Sequence, residues 1–471
     1  QNLANQSRRM SETDQSSPQS PAPSSSDTTR RSFIAKTGAV AATAGAASSI
    51  GFPSVTFGQE DKKKLKVGLI GCGGRGTGAA AQALAADDNV ELHAMGDVYE
   101  DKALTQLRVL ARDRKSAAKI GADVQSTKNI FGGLDNYQKV MDSGVDVVLL
   151  TTPPGFRPQH FKEAVERGIH CFVEKPVATD VDGVLKFLET GKTAREKGIS
   201  VLSGFCYRYS DHGRELFQQR LPDGAIGDIR AVHSTYFANI VKPMPPEEDR
   251  PAGMSDTEWQ IKNWYNFTWL SGDGYVEQAI HKADKMSWLI SQMTGKESPV
   301  PVACYAQGGR QRPNNNGNTY DHYSVCYEWE DGFRYHVDWS QYGAGVYKED
   351  KDFIVGEKGM ANFDIGSASI TGENAWTWRK PRTGVRNMYQ TEHDEFFANI
   401  RKGERHADEE WAAHSTLLGI MARHAAYTGK RITWDDMMNS GEKLVPETID
   451  WSAPLDVRPT PIPGVAETQS A

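Results

Sequence analysis

The sequence predicts an α/β protein: a parallel, doubly wound sheet in the first half, then a second α/β domain. Three observations predict this. Short apolar runs alternate with stretches of helical length from residue 64 to residue 202, the pattern of parallel strands joined by crossover helices. A glycine-rich turn separates the first run from the first helical stretch. From Arg230 onward the alternation stops and period-two runs replace it, as strands with one buried face require.

Residues 64–70 (KLKVGLI) read as a buried strand that runs into Gly71-Cys72-Gly73-Gly74-Arg75-Gly76, followed by an Ala-rich helix over 77–86. This is G-x-G-x-x-G in a strand-to-helix setting, the dinucleotide-binding fingerprint. Gly71 allows the tight turn, Gly73 lets a pyrophosphate approach the backbone, and Gly76 lets the helix pack close to the strand. Phosphates then sit on the free N–H groups of the helix N-terminus. Residues 90–98 form the second strand and end in Asp97, 21 residues past Gly76. An acid there accepts from the adenosine ribose hydroxyls and repels a 2′-phosphate. Glu100 and Asp101 add negative charge, so NAD is expected over NADP; Arg75 is the opposing feature.

The alternation continues with a strand over 145–151 and a turn at Thr152-Pro153-Pro154. It is followed by a helix over 161–167, a strand over 169–173, a helix over 181–197 and a strand from 199 to 202. Ligands of such sheets bind at the carboxyl ends of the strands, where Thr151, Thr152, Pro153, Glu174 and Lys175 fall. In the second domain, residues 323–329 and 333–339 alternate and are joined by Glu330-Asp331-Gly332, a hairpin signal. Residues 393–400 and 409–428 are helical again and are expected to pack back on the sheets. The domains expected are an N-terminal segment 1–60, a nucleotide domain 61–205, a second domain 206–440 and a C-terminal tail 441–471.

The first segment reads as an address. Residues 1–29 are rich in Ser, Gln, Pro and Thr and bury too little apolar surface to offset their ordering entropy. Arg30-Arg31-Ser32-Phe33-Ile34-Ala35-Lys36 precedes a mildly apolar Gly/Ala stretch to Ile50, the anatomy of a twin-arginine export signal. That stretch is too short and too rich in small residues to anchor in a membrane. Met10 is a candidate initiator. Cleavage is expected after Ala44 or Ala46, or nearer Gln59; the last would leave about 410 residues outside the cytoplasm, in the periplasm or beyond. The route exports folded proteins, often ones already loaded with cofactor, so a tightly held cofactor is expected.

Composition narrows the function. Of 471 residues, 38% are hydrophobic and 24% charged, which argues against a multi-span membrane protein. The net charge of -7 does not suit non-specific nucleic-acid binding, which needs a basic surface. Cys72, Cys171, Cys206, Cys304 and Cys326 are scattered and read as buried apolar residues, not a disulfide framework. The 12 His are dispersed with no metal-binding spacing, so no metal is expected; His406 and His414 read as solvent-facing on an acidic helix. All 11 Trp lie at or beyond Trp259, which marks the two halves as differently built.

Glu174-Lys175-Pro176 after a short strand, downstream of the Thr-Pro-Pro turn and His160, resembles the Gfo/Idh/MocA oxidoreductases, among them glucose–fructose oxidoreductase and inositol dehydrogenase. Three further stretches agree. Residues 271–284 (SGDGYVEQAIHKAD) resemble the family's catalytic segment, residues 263–273 (NWYNFTWLSGD) an exported subgroup, and residues 425–437 (AAYTGKRITWDDM) the C-terminal helix and return strand. The resemblance covers residues 64–438. It implies a Rossmann domain followed by a domain with a large, open, mainly antiparallel sheet. It also implies nicotinamide and substrate meeting between them, and a dimer or tetramer formed through that sheet. It gives His160 a place at the cofactor.

The same resemblance assigns chemistry. Lys175 would hydrogen-bond the reacting hydroxyl and help relay its proton. His281 would be the general base, with an ordinary pKa of about 6.5 suited to that work. Glu277, four residues earlier, would orient His281 or contact a substrate hydroxyl if the segment is helical. Asp284 would bond the imidazole or cap structure. Lys282 departs from the Asn of related exported sequences and adds charge beside the base. Trp264, Trp269 and Trp288 bracket this segment and suit stacking on sugar C–H faces. Arg208, and His322 with Asp321, are further candidates for substrate contact.

Three functions fit. The first is an NAD-dependent oxidoreductase acting on a sugar, polyol or glycoside hydroxyl. The second is an NAD-dependent glycoside hydrolase that oxidises, eliminates, hydrates and re-reduces. The third is a non-catalytic sugar-binding protein, against which the retention of both Lys175 and His281 weighs.

Overall fold

The computed structural model describes residues 63–312, 317–382 and 387–465; the export signal expected over 1–60 lies outside them. The first sheet has six strands. They are β1 (Leu65–Ile70), β2 (Val90–Gly96), β3 (Ile130–Phe131), β4 (Val147–Leu150), β5 (His170–Val173) and β6 (Val201–Ser203). Their order is β3-β2-β1-β4-β5-β6 and every pairing is parallel. The strands read as continuous apolar runs because both faces are buried. One face packs Val67, Leu69 and Leu92; the other packs Ile70, Val148 and Val173. The two-residue β3 carries too short a signal to stand out by periodicity.

Helix α1 (Gly74–Ala86) begins inside the glycine motif, three residues earlier than the sequence pattern suggests. Gly73 is its extended N-cap and has no side chain to cap it. Helices α2 (Arg157–Glu166) and α3 (Val181–Glu196) are the crossovers behind β4 and β5. Asp180 caps α3 by accepting from the Gly183 N–H, a cap of about 1 kcal/mol.

The second sheet has nine strands: β7 (Ile229–Asn239), β8 (Ala303–Gly309), β9 (His322–Glu328), β10 (Arg334–Tyr342), β11 (Glu349–Gly356), β12 (Gly359–Phe363), β13 (Ala368–Gly372), β14 (Trp376–Thr377) and β15 (Ile432–Thr433). Their order is β14-β13-β12-β11-β7-β10-β9-β8-β15. All pairings are antiparallel except β7 with β10. The expected hairpin is β9–β10, which pairs Tyr327 with Tyr335.

Three helices cover one face of this sheet or return to the first. Helix α4 (Ile280–Thr294) carries the His281 segment. Helix α5 (Met388–Lys402) lies on α1, where the Gln390 side-chain amide donates to the Gln82 carbonyl at 3.0 Å. Helix α6 (Glu409–Thr428) packs between α3 and α4. Its mean burial is high: His414 is 6% exposed and stacks on Trp434. The solvent-facing expectation for His414 is therefore wrong. His406 lies before the helix and bonds Tyr209 Oη at 2.9 Å. The acidic residues around both suggested a wet surface, but α6 is wedged between two other helices.

Among the described residues of the C-terminal tail, 442–465 run as a strap over the second domain. Leu444 is buried, and Tyr320 Oη donates to the Pro461 carbonyl at 2.8 Å. All five cysteines are buried and free.

Candidate active site

Gly71 has φ +94°, and a Cβ there would meet the Thr151 and Thr152 backbone within 2.9 Å. A Cβ on Gly76 would meet the Gly71 carbonyl at 2.1 Å. These two glycines are set by chain approaching chain. Gly73 and Gly74 differ: a Cβ on either meets nothing within 4 Å, because both border a cleft. The cleft has a volume of about 900 Å³ and is walled by the glycine turn, the β2, β4 and β5 ends and the second domain. The first N–H groups of α1 have no partners within the helix and carry its positive dipole end. Bare glycine backbone, unpaired N–H groups and an acid at the end of β2 fit the pyrophosphate and ribose of a dinucleotide.

Asp97 is held for that task. Its Oδ2 accepts from the Cys72 N–H at 2.7 Å and its Oδ1 from the Tyr99 N–H at 3.2 Å. Lys102 pairs with it at 3.1 Å. Cys72 does not line the cleft: beyond this backbone bond its buried thiol donates to the Gly96 carbonyl at 3.5 Å. Thr151 Oγ1 donates to the Gly71 carbonyl at 2.7 Å, which ties β4 to the turn. Thr152 Oγ1 lies 3.3 Å from His160 Nδ1, and His160 stacks on Tyr137. Burial pushes His160 down to about 3, so its ring is neutral. Pro153 completes this wall.

Arg75 does not hang free over the turn. Its guanidinium pairs with Glu174, with Glu392 of α5 at 2.9 Å, and with the Gln82 side chain at 2.8 Å. Glu174 is thereby committed to Arg75 and to the Lys175 N–H.

Lys175 stands at the end of β5, before a cis bond to Pro176. Its ammonium donates to the Glu277 backbone carbonyl and, at 3.2 Å, to Glu277 Oε1. Tyr265 Oη donates to Glu277 Oε2 at 2.6 Å, and the Gln341 amide donates to Tyr265 Oη at 3.1 Å. Glu277 thus orients Lys175, not His281. The reason is local: Tyr275–Ala279 form a wider π turn, which breaks the i,i+4 alignment that a regular helix would give.

His281 also lines the cleft. Its ring meets the edges of Tyr207 and Phe205, and its buried Nδ1 has no hydrogen-bond partner among the described residues. Burial, then the Lys175, Lys285 and Lys282 charges, hold it well below its ordinary value. The imidazole is therefore neutral and able to accept a proton. Lys282 faces away: it is 2% exposed and pairs with Asp350 at 2.6 Å and Asp352 at 3.1 Å. Lys285 also pairs with Asp352. This buried lattice pins the His281 turn to β11.

Besides Cys72, four expected site residues are not brought to the cleft. Asp284 is fully buried, paired with Arg208 at 2.9 Å and accepting from Ser415 Oγ at 2.7 Å; it does not touch His281. Arg208 is spent on that pair and on the Trp411 ring, 3.9 Å from its centroid. Trp269 is buried, donating to Gln260 at 2.7 Å. His322 bonds its neighbour Asp321 at 2.9 Å and is absent from the cleft lining. Trp288 packs against Phe217; of the three Trp around the segment, Trp264 lines the cleft.

The structure adds Arg157, Tyr236, Lys242, Tyr265 and Gln278 to the lining. Arg157 is 4% exposed and burial pushes it down to about 10. Tyr265 and Gln278 stand inside the resembling segments 263–273 and 271–284 without being singled out there; Arg157 follows the Thr-Pro-Pro turn, and no motif pointed to Tyr236 or Lys242. Among the described residues no group of three or more His, Cys, Asp or Glu is placed to hold a metal, and no helix is long and apolar enough to cross a membrane.

A parallel sheet with this turn, opening on a second mixed sheet, defines a two-domain, dinucleotide-binding α/β protein. Residues 65–205 match the NAD-binding Rossmann model of the oxidoreductase family Gfo/Idh/MocA, and residues 215–362 match a C-terminal domain model of the same family. The chain belongs to that family. It is 25% identical over 303 residues to inositol 2-dehydrogenase 3 of Saccharopolyspora erythraea, covering 63% of this chain and 72% of that one. It is 26% identical over 234 residues to glycosyl hydrolase family 109 protein 2 of Shewanella sp. (strain ANA-3), 48% of this chain and 47% of that one. Its fold is similar to the WlbA dehydrogenase of Bordetella pertussis, solved with NADH and UDP-GlcNAcA. There the TM-score is 0.56 at 19% identity, over 79% of this chain and 99% of that one.

Proposed function

We propose that the protein is an NAD-dependent oxidoreductase acting on a sugar, polyol or glycoside hydroxyl, with a tightly held cofactor. The observation that carries this is the convergence of Lys175 and a neutral His281 on the cleft that the glycine turn opens into. Bound nicotinamide supplies the hydride acceptor. Lys175, fixed by Glu277, donates a hydrogen bond to the reacting hydroxyl oxygen. The neutral His281, whose Nδ1 has no hydrogen-bond partner among the described residues, takes the hydroxyl proton. Trp264 and Tyr236 offer aromatic surface for the sugar's C–H face. Glu277 and Gln278 offer acceptors and donors to its hydroxyls. Asp97 favours NAD over NADP, and Arg75 is too well paired to be released for a phosphate.

A second reading, an NAD-dependent glycoside hydrolase, is favoured by the similarity to the Shewanella protein. Export by the twin-arginine route, expected from residues 30–50, supports a cofactor that is retained and regenerated. The open face of the second sheet supports assembly into a homodimer or tetramer.

The test is to purify the protein, measure co-purifying nicotinamide by mass, and offer free sugars and aryl glycosides. Net absorbance at the reduced-nicotinamide band supports the dehydrogenase. Glycoside cleavage without it supports the hydrolase. Absence of both, with Lys175→Ala changing nothing, leaves a binding protein.

A further inference from the structure

Three lysines converge where the adenosine end of a dinucleotide would lie. Lys102 follows β2 and pairs with Asp97. Lys242 and Lys262 come from the second domain and line the same cleft. The Lys242 ammonium donates to the Lys262 backbone carbonyl, and among the described residues neither side chain has a carboxylate within ion-pair distance. Burial, then the Lys102 and Lys262 charges, push Lys242 down to about 8. A half-buried cation crowded by like charges, without a counter-ion, is unfavourable by itself.

The backbone that carries these lysines is fixed. Ile261 is buried in an apolar cluster with Met244, Trp259 and Leu444, and Val98, Leu134 and Phe156 of the first domain pack against it. Asn266 Nδ2 donates to the Lys242 carbonyl at 3.3 Å. The second domain therefore presents Lys242 to the Asp97–Lys102 pair by construction. Neither the glycine turn nor the Lys175–His281 pair uses these side chains.

We propose that Lys242, with Lys262 and Lys102, is a phosphate clamp for the dinucleotide, closing on it from the second domain. It rests on the dinucleotide reading above. The ligand group is a phosphate ester: a compact anion that accepts several ammonium hydrogen bonds and supplies the missing counter-charge. Two phosphates have that chemistry, the pyrophosphate of any dinucleotide and the 2′-phosphate of NADP. The second would make the cleft competent for NADP despite Asp97.

The test titrates the full chain, freed of bound nucleotide, with NADH, NADPH and ADP-ribose by calorimetry. Lys242→Gln and the more exposed Lys262→Gln are each compared with the unaltered protein, and thermal unfolding checks that both variants fold. Loss of a charged hydrogen bond predicts binding weaker by about ten- to a hundred-fold. Weakening for NADPH alone assigns the 2′-phosphate; weakening for all three ligands assigns the pyrophosphate. Unchanged affinities in both variants overturn the clamp and leave the oxidoreductase reading standing. An unaltered protein that binds none of the three overturns both.

Discussion

At the glycine turn the cleft wall is main chain; at Lys175 and His281 it is side chains. Gly71, Gly73, Gly74 and Gly76 act through what they lack, and Asp97 is held by two backbone N–H groups of its own neighbourhood. The other end is a relay of side chains from distant elements: Gln341 to Tyr265, Tyr265 to Glu277, Lys175 to Glu277. Two arginines show the same contrast. Arg75 joins the turn to α5 and stays at the cleft, whereas Arg208 is drawn away by the buried Asp284. A site made of backbone is robust to side-chain context; a site made of a side-chain relay works only as a whole.

The largest test of that contrast is Lys175→Ala. It should lower turnover about 10²–10⁴-fold with NADH affinity little changed, measured by steady-state kinetics beside a direct titration; equal loss of both would erase the distinction between the ends. Next, Asp284→Ala leaves the Arg208 charge unpaired in the interior. It should cost about 3–5 kcal/mol of stability, read by denaturant unfolding, although the residue is outside the cleft.

Acid should act on both ends together. His160, His281, His393 and His414 are all held below the ordinary value, chiefly by burial. The unfolded chain then binds more protons, so stability falls as pH drops below about 6.5, by about 1.4 kcal/mol per pH unit for each such histidine. His233, bonded to Asp338, and His406, where burial is overcome by Asp408 with Glu395 and Glu409, are raised and oppose this. Unfolding midpoints between pH 7 and pH 5 would show the net slope; a flat profile would mean the rings are not neutral.

Within the turn, Gly71→Ala should destabilise by about 1–3 kcal/mol, because it strains φ and meets the Thr152 backbone. Gly73→Ala should leave the unfolding midpoint unchanged and weaken NADH binding, since its Cβ fills only the cleft. The smallest effect is Tyr265→Phe. It removes the bond to Glu277 and the one accepted from Gln341, each worth about 1 kcal/mol, and should slow turnover several-fold while binding holds.

The turn, its helix, Asp97 and Lys175 were legible because each belongs to a short contiguous signal: the glycine fingerprint, the end of a strand, or Glu174-Lys175-Pro176. His281 was legible through a resembling segment. Its supposed neighbours were not: the i,i+4 spacing of Glu277 assumes a regular helix, and a π turn intervenes. Asp284 and Arg208 carry the right chemistry but lie 76 residues apart, and only packing revealed that they neutralise each other. Trp269 and His322 looked like site residues by type, yet Gln260 and Asp321 already hold them.

The sequence by itself therefore determined the parallel sheet, the dinucleotide turn, the change of architecture after residue 230 and the place of Lys175 at a strand end. Those features are written in short-range periodicity and in glycine's freedom from a side chain. Only the tertiary structure decided which polar side chains stay at the cleft and which are consumed elsewhere. A polar group's role depends on who satisfies it, and its partners, such as Asp352 for Lys282, are brought together by folding rather than by order along the chain.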